Sequence, residues 1–451
     1  MKNIFQFLIL ILLFSCSKND DTGQPDVKLQ GEVVWSKSFG GSSDEKITSV
    51  VTTLDGGYIV LGYTDSQDNG LPVSKGMLDI WLSKFDSSGN LIWTKTIGGS
   101  LDDYGTSIAK TNDGNFIIAG YTESLDGDVP GNVGLHDFLI TKINQNGNVI
   151  WSKNYGFISH DHAHTIIQLS NGDYFVAGFA NYDGIMGTPG DGNHGEGHSL
   201  KTTNTLHGTG EYFGIRLDAN GNFKWYRYFG GTQNDRVNDV LETNDGGILL
   251  VGYSESNNFD VTNNKGSYDF WVLKLDFEGH LHWKQNYGGS GIDQAFSVVK
   301  TNFNSYIIAG RSNSADKDIS NPLGGFDGWI IHIDDMGKLL WNKNLGTNQF
   351  DGINAIKNLN NGNFGIVGNT RGSLPGLQNF GENDFWFLEV DAQPNSSILF
   401  QKNFGGENID MATDFIQTEN NEIIIVGESQ SNSNHALSNN GFNDMLILKF
   451  K

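Results

Sequence analysis

At 451 residues the chain is long enough for several domains, and its net charge of −23 argues against a phosphate-backbone partner, which would need a basic surface. Its 59 glycines, 7 prolines and 12% aromatic residues favour short strands and tight turns over helices. With 1 cysteine, neither an intrachain disulfide nor a cysteine-based metal cluster can form. The acidity fits a soluble extracytoplasmic protein, or one that draws cations.

In chain order, Lys2 is followed by an apolar run from Ile4 to Phe14, broken only by Gln6. That run is too short for the roughly 20 residues a membrane span needs, and reads as the core of a secretory leader over residues 1–15. Leu13-Phe14-Ser15-Cys16 resembles a bacterial lipobox, although Phe14 departs from the pattern. The resemblance implies acylation of Cys16 and anchoring in outer-membrane lipid; a plain secretory leader with a chance cysteine is the alternative. Ser17-Lys18-Asn19-Asp20-Asp21 resembles the export signal of Bacteroidetes surface lipoproteins, which implies display on the outer face of the outer membrane. Residues 16–30 are polar and patternless, as expected of a flexible tether.

From residue 31 onward one unit repeats. Tryptophans at 35, 93, 151, 225, 283 and 341 open segments of the form W-x-K-x-x-G-G or a close variant of it, and Phe400 takes the same place in the seventh. Their spacings are 58, 58, 74, 58, 58 and 59 residues. The excess in the third interval lies in a glycine- and histidine-rich insertion at about 187–208. A fixed period of this length indicates a ring or solenoid of supersecondary units. The second unit carries four predicted strands, at 90–97, 104–111, 115–122 and 137–143. Asn112-Asp113-Gly114 and Asp86-Ser87-Ser88-Gly89-Asn90 supply the glycines that tight turns require. Segments such as Asp269–Leu275 are apolar on both faces, as stacked blades demand.

The repeat region begins with an unpaired tryptophan strand at 31–35 and ends at 444–450 with no tryptophan strand after it. The expectation is an all-β, seven-bladed β-propeller of four-stranded antiparallel blades, closed by pairing residues 31–35 with 444–450. The Asp-x-x-Gly-x-x-x-Trp turns at 86–93 and 276–283 resemble the tryptophan-docking motif of quinoprotein-type propellers. The whole unit resembles repeats of Bacteroidetes surface propellers over residues 31–451, which implies a fold and no particular reaction.

Two acidic positions recur in the units. One follows the glycine pair, at Glu45, Asp103, Asp161, Asp235, Asp293, Asp351 and Asp410. The other opens the fourth strand, at Asp79, Asp137, Glu211, Asp269, Asp327, Asp384 and Asp444. A catalytic group is needed once, so residues present seven times are expected to be architectural, accepting hydrogen bonds from turn amides or a neighbouring blade. Asp126 and Asp128 lie in a long acidic loop compatible with calcium, although the full EF-hand spacing is absent; solvated loop acids are the simpler reading.

Histidines cluster in the third unit, at His160, His162 and His164, with His194, His198 and His207 in the insertion. Three alternating histidines on a strand would share a face and could bind zinc, or simply stand at the mouth of the ring. No nucleophile elbow, phosphate loop, dinucleotide fingerprint or convincing arginine triad is present. The expected function is that of a non-enzymatic surface module binding a glycan or envelope protein through its loops, as a monomer with no required cofactor. The alternative is a polysaccharide hydrolase or lyase whose site is the axial funnel at the third unit.

Overall fold

A computed structural model describes residues 28–451 except 70, 158, 182–192, 196–209, 375, 393–395 and 437–438. The leader, Cys16, most of the tether, His198 and His207 lie outside the described residues, and of His194 only the backbone is described.

The described residues form seven antiparallel sheets and no helix. A typical blade runs Asp103–Lys110, Phe116–Thr122, Asp137–Ile143, Val149–Tyr155 from axis to rim. The tryptophan strand that completes each blade is therefore the one that follows its first three strands. The seven axial strands touch in succession, and the last meets the first, closing the ring. In the third blade a short strand, Asn193–Gly195, adds to the rim beside Phe223–Phe229, so part of the insertion extends that sheet.

Closure follows from the ends. Val33–Phe39 pairs antiparallel with Asp444–Phe450, so the blade starting at Asp410–Gln417 takes its rim strand from the other end of the repeat region. The turn that joins such strands in the other blades is formed here by residues from the two ends of the repeat region. Lys451 and Glu32 exchange backbone hydrogen bonds at 3.1 and 3.2 Å, as Asp86 and Asn90 do with one bond of 2.9 Å in an intact turn.

The core lies between blades. Every residue of the third strand Asp137–Ile143 is buried, because both faces of the sheet are covered. Phe138 and Ile140 of one blade pack with Val176 and Ile215 of the next, each fully buried aliphatic or phenyl group contributing about 1.5–3 kcal/mol. At the rim the tryptophans act as inter-blade spacers. Gly89 has φ of +76° and its α-carbon faces the Trp35 indole; Gly147 faces Trp93 and Gly337 faces Trp283 in the same way. Only glycine combines that backbone with so close an approach.

One irregularity recurs at the axis. Each axial strand carries a bulge after its third residue, such as the register shift between Gly105 and Ser107. A bulge re-aims its side chain. Here the bulged Thr48, Thr106, Asn238 and Asn354 each donate to a carbonyl of the next blade, at 2.8, 2.9, 2.6 and 2.6 Å.

Candidate functional site

The repeated acids lie at the blade junctions. In each pair one carboxylate opens a third strand, and the other opens the axial strand of the following blade. Asp103 accepts from the Gly99 amide at 2.7 Å, Asp293 from Gly289 at 2.7 Å, and Asp410 from Gly406 at 2.6 Å. Glu45, Asp161, Asp235 and Asp351 accept from the amides of Gly41, Phe157, Gly231 and Thr347 in the same way. From the other side Asp79, Asp137, Asp269, Asp327, Asp384 and Asp444 accept from the amides of Lys75, Val133, Lys265, Leu323, Phe380 and Asn440. Both sets close on the first glycine of the pair, so a methyl group on Gly98 would overlap Asp79 and Asp103 together. Burial and the facing carboxylate push Asp269 up to about 7 and Asp384 up to about 6.

Asp126 and Asp128 have recurring roles of the same kind. Asp126 accepts from the Ser100 amide at 2.8 Å, as Asp316 does from Ser290 at 2.7 Å. Asp128 pairs with Lys75, and Asp318 with Lys265. Among the described residues neither aspartate joins a group of three potential metal ligands.

The histidines divide. His164 occupies the bulge, and its Nδ1 lies 2.6 Å from the Val237 carbonyl of the next blade. It therefore replaces Thr106 as an inter-blade clasp and stands apart from His160 and His162. Burial holds its pKa down at about 4. His160 and His162 are joined instead by His136, from the preceding blade. The backbones of His136 and His160 form a parallel bridge, as Tyr268 and Ile292 do elsewhere in the ring. His136 Nδ1 lies 2.6 Å from His162 Nε2 and 3.1 Å from His160 Nδ1, and His136 Nε2 meets Glu123 Oε1. The three are partly exposed and offer ring nitrogens within 4.8 Å of one another. Burial, together with His136, His164, His160 and Arg236, holds His162 neutral with a pKa of about 2.

Only one other group of three appears among the described residues: Asp276, Glu278 and His280. It belongs to a rim turn, where Asp276 accepts from the His280 amide as Asp86 does from Asn90, both at 2.8 Å.

Around the mouth of the ring the aromatic side chains form a run. Tyr63 meets Tyr104 edge-on at 4.9 Å, and Tyr104 stacks on Tyr121 at 4.5 Å. Tyr121 stacks on His162 at 3.8 Å and 3°, His162 contacts Phe179, and Arg236 lies 3.4 Å above Phe179. Burial pushes the Tyr104 phenol up to about 12, so it stays an OH donor. Farther round, Arg311 lies near the rings of Phe296, Phe326 and Phe350 and donates to Gln294 Oε1 at 3.0 and 2.7 Å. Arg216 and Arg227 are buried against Phe277 and Trp225 and do not reach this mouth.

No protein-family profile matches the chain. The chain is 28% identical to the regulatory protein FlaEY of Caulobacter vibrioides over 264 residues, which is 53% of this chain and 26% of that protein. It thus spans about a quarter of that relative. Among solved structures it is similar to the WD40 domain of Pan2 from Neurospora crassa, with TM-score 0.48 and 10% identity over 90% of this chain and 89% of that one. It is also similar to a protein of unknown function from Bacteroides caccae, with TM-score 0.36 and 14% identity over 68% of this chain and 93% of that one.

Proposed function

We propose that the protein is a non-enzymatic binding module of the cell surface, anchored through Cys16, that holds a glycan at the mouth of its ring. The observation that carries this reading is the break in seven-fold equivalence at that mouth. Tyr63, Tyr104, Tyr121, His162 and Arg236 are all partly exposed there, on one continuous arc. Aromatic faces that are apolar on the ring and polar at the hydroxyl suit a sugar, whose faces are apolar and whose edges carry hydroxyls. Arg236 and Glu123 add a charge of each sign close by.

A glycan array, paired with an assay for polysaccharide breakdown, tests the proposal. Binding by the wild type that falls at least tenfold in Tyr121→Ala is expected, without release of products. Product release by the wild type, abolished in His162→Ala, would replace binding with the hydrolase or lyase reading.

A further inference from the structure

The geometry points to a zinc-binding site made of His136, His160 and His162, with Glu123 as the carboxylate that orients His136. This inference goes beyond the glycan-binding reading and stands whether or not a sugar binds.

Glu123 Oε1 faces His136 Nε2. An ionised carboxylate only accepts, so Nε2 carries a proton, and in the neutral ring that a metal ligand must be Nδ1 presents its lone pair. Two further nitrogens converge on that atom, His162 Nε2 at 2.6 Å and His160 Nδ1 at 3.1 Å. A single in-plane lone pair can accept a straight hydrogen bond from one N–H and not from both. A cation among the three nitrogens would instead engage a lone pair from each ring at once.

The dimensions agree. A tetrahedral zinc with bonds of about 2.0–2.1 Å holds its imidazole nitrogens roughly 3.3 Å apart, so the spacings of 2.6 and 3.1 Å from His136 Nδ1 need only a small opening. The donor set selects the ion class. Three neutral imidazoles suit zinc or another late first-row metal, whereas calcium and magnesium take oxygens. Carboxylate, histidine and metal in sequence is the usual arrangement by which a second group fixes the ligand's tautomer and ring plane.

The rings are also held in place before any ion arrives. Tyr121 stacks on His162, and the His136–His160 bridge fixes two of the ligands across a blade junction. Three protein ligands leave one tetrahedral position for water or for an oxygen of a bound molecule.

The test is zinc binding to the full chain after EDTA treatment, followed by calorimetry against a chelator of known affinity, with cobalt absorption as a spectroscopic check. Expected are one zinc per chain and the intense visible bands of tetrahedral cobalt. His136→Gln and His162→Gln should each weaken binding at least 100-fold, and Glu123→Gln about 10–100-fold. His280→Ala, at the exposed rim turn, should bind as the wild type does. Thermal melts verify that each variant is folded. Absence of zinc from the folded wild type, or unchanged affinity in both histidine variants, would overturn the assignment, the latter by placing the ion on other histidines.

Discussion

The blade junctions and the mouth between the second and third blades are built from neighbouring register positions and put them to different uses. At a junction, two buried carboxylates and a glycine recur around the ring, each carboxylate bonded to turn amides. At the mouth, positions that hold Asp102 and Tyr104 in one unit hold His160 and His162 in the next, and meet His136. Repetition marks what the ring needs to stand. Departure from it marks what one protein can do with the ring.

The sharpest way to break this contrast is to perturb one residue of each kind. Gly98→Ala drives a methyl into Asp79 and Asp103, and should cost about 3 kcal/mol, read as a fall in the urea midpoint. His162→Ala should cost about 1 kcal/mol while altering ligand or metal affinity. If the two losses were equal, the mouth would be scaffold as well.

The junction acids also make a pH prediction. Asp269 and Asp384 have folded pKa values of about 7 and about 6, above the unfolded value near 3.9. The folded chain therefore binds these protons more tightly than the unfolded chain, so these two groups add stability as pH falls from about 8 to about 5, while His162 and His164, held neutral with pKa values of about 2 and about 4, oppose them over the same range. Urea titrations at the two pH values, on the wild type and on an Asp269→Asn, Asp384→Asn double variant, separate the two contributions: the carboxylates should add about 1–3 kcal/mol at pH 5 relative to pH 8 in the wild type and nothing in the variant. An identical pH dependence in the two proteins would refute the paired-carboxylate account.

Smaller effects follow. Asn238→Ala removes one inter-blade clasp and should cost about 1 kcal/mol in thermal unfolding. Asp128→Asn breaks a half-exposed ion pair with Lys75 and should cost less than about 1 kcal/mol. Because Asp126 and Asp128 are engaged by protein donors, a calcium chelator should leave the melting temperature unchanged.

Much of the ring was legible in the sequence. The period, the turn glycines and the complementary strands at the two ends all act locally or through a simple count, and the pairing of Val33–Phe39 with Asp444–Phe450 follows from them. The histidine cluster was only half legible. Period-two alternation groups His160, His162 and His164, but the bulge after Ala163 turns His164 to the Val237 carbonyl. His136 lies 24 residues before His160 and reaches it only because successive blades are bridged at that position. A signal existed in the repeat alignment: the residue before each third-strand acid faces the residue before the next axial acid, as Phe326 faces Phe350. It becomes readable once strand order around the axis is known.

The split turn at Glu32 and Lys451 sets how the ring would hang from a membrane. The rim strand Val33–Phe39 starts at that turn and runs toward the junction end, where Glu45 opens the first axial strand. The histidines stand at that junction end, at the start of the third axial strand. The tether therefore leaves from the opposite end, a full strand length of roughly 20 Å away. Under the proposed anchoring through Cys16, the lipid attachment and the mouth would lie at opposite ends of the ring, with the mouth turned away from the bilayer.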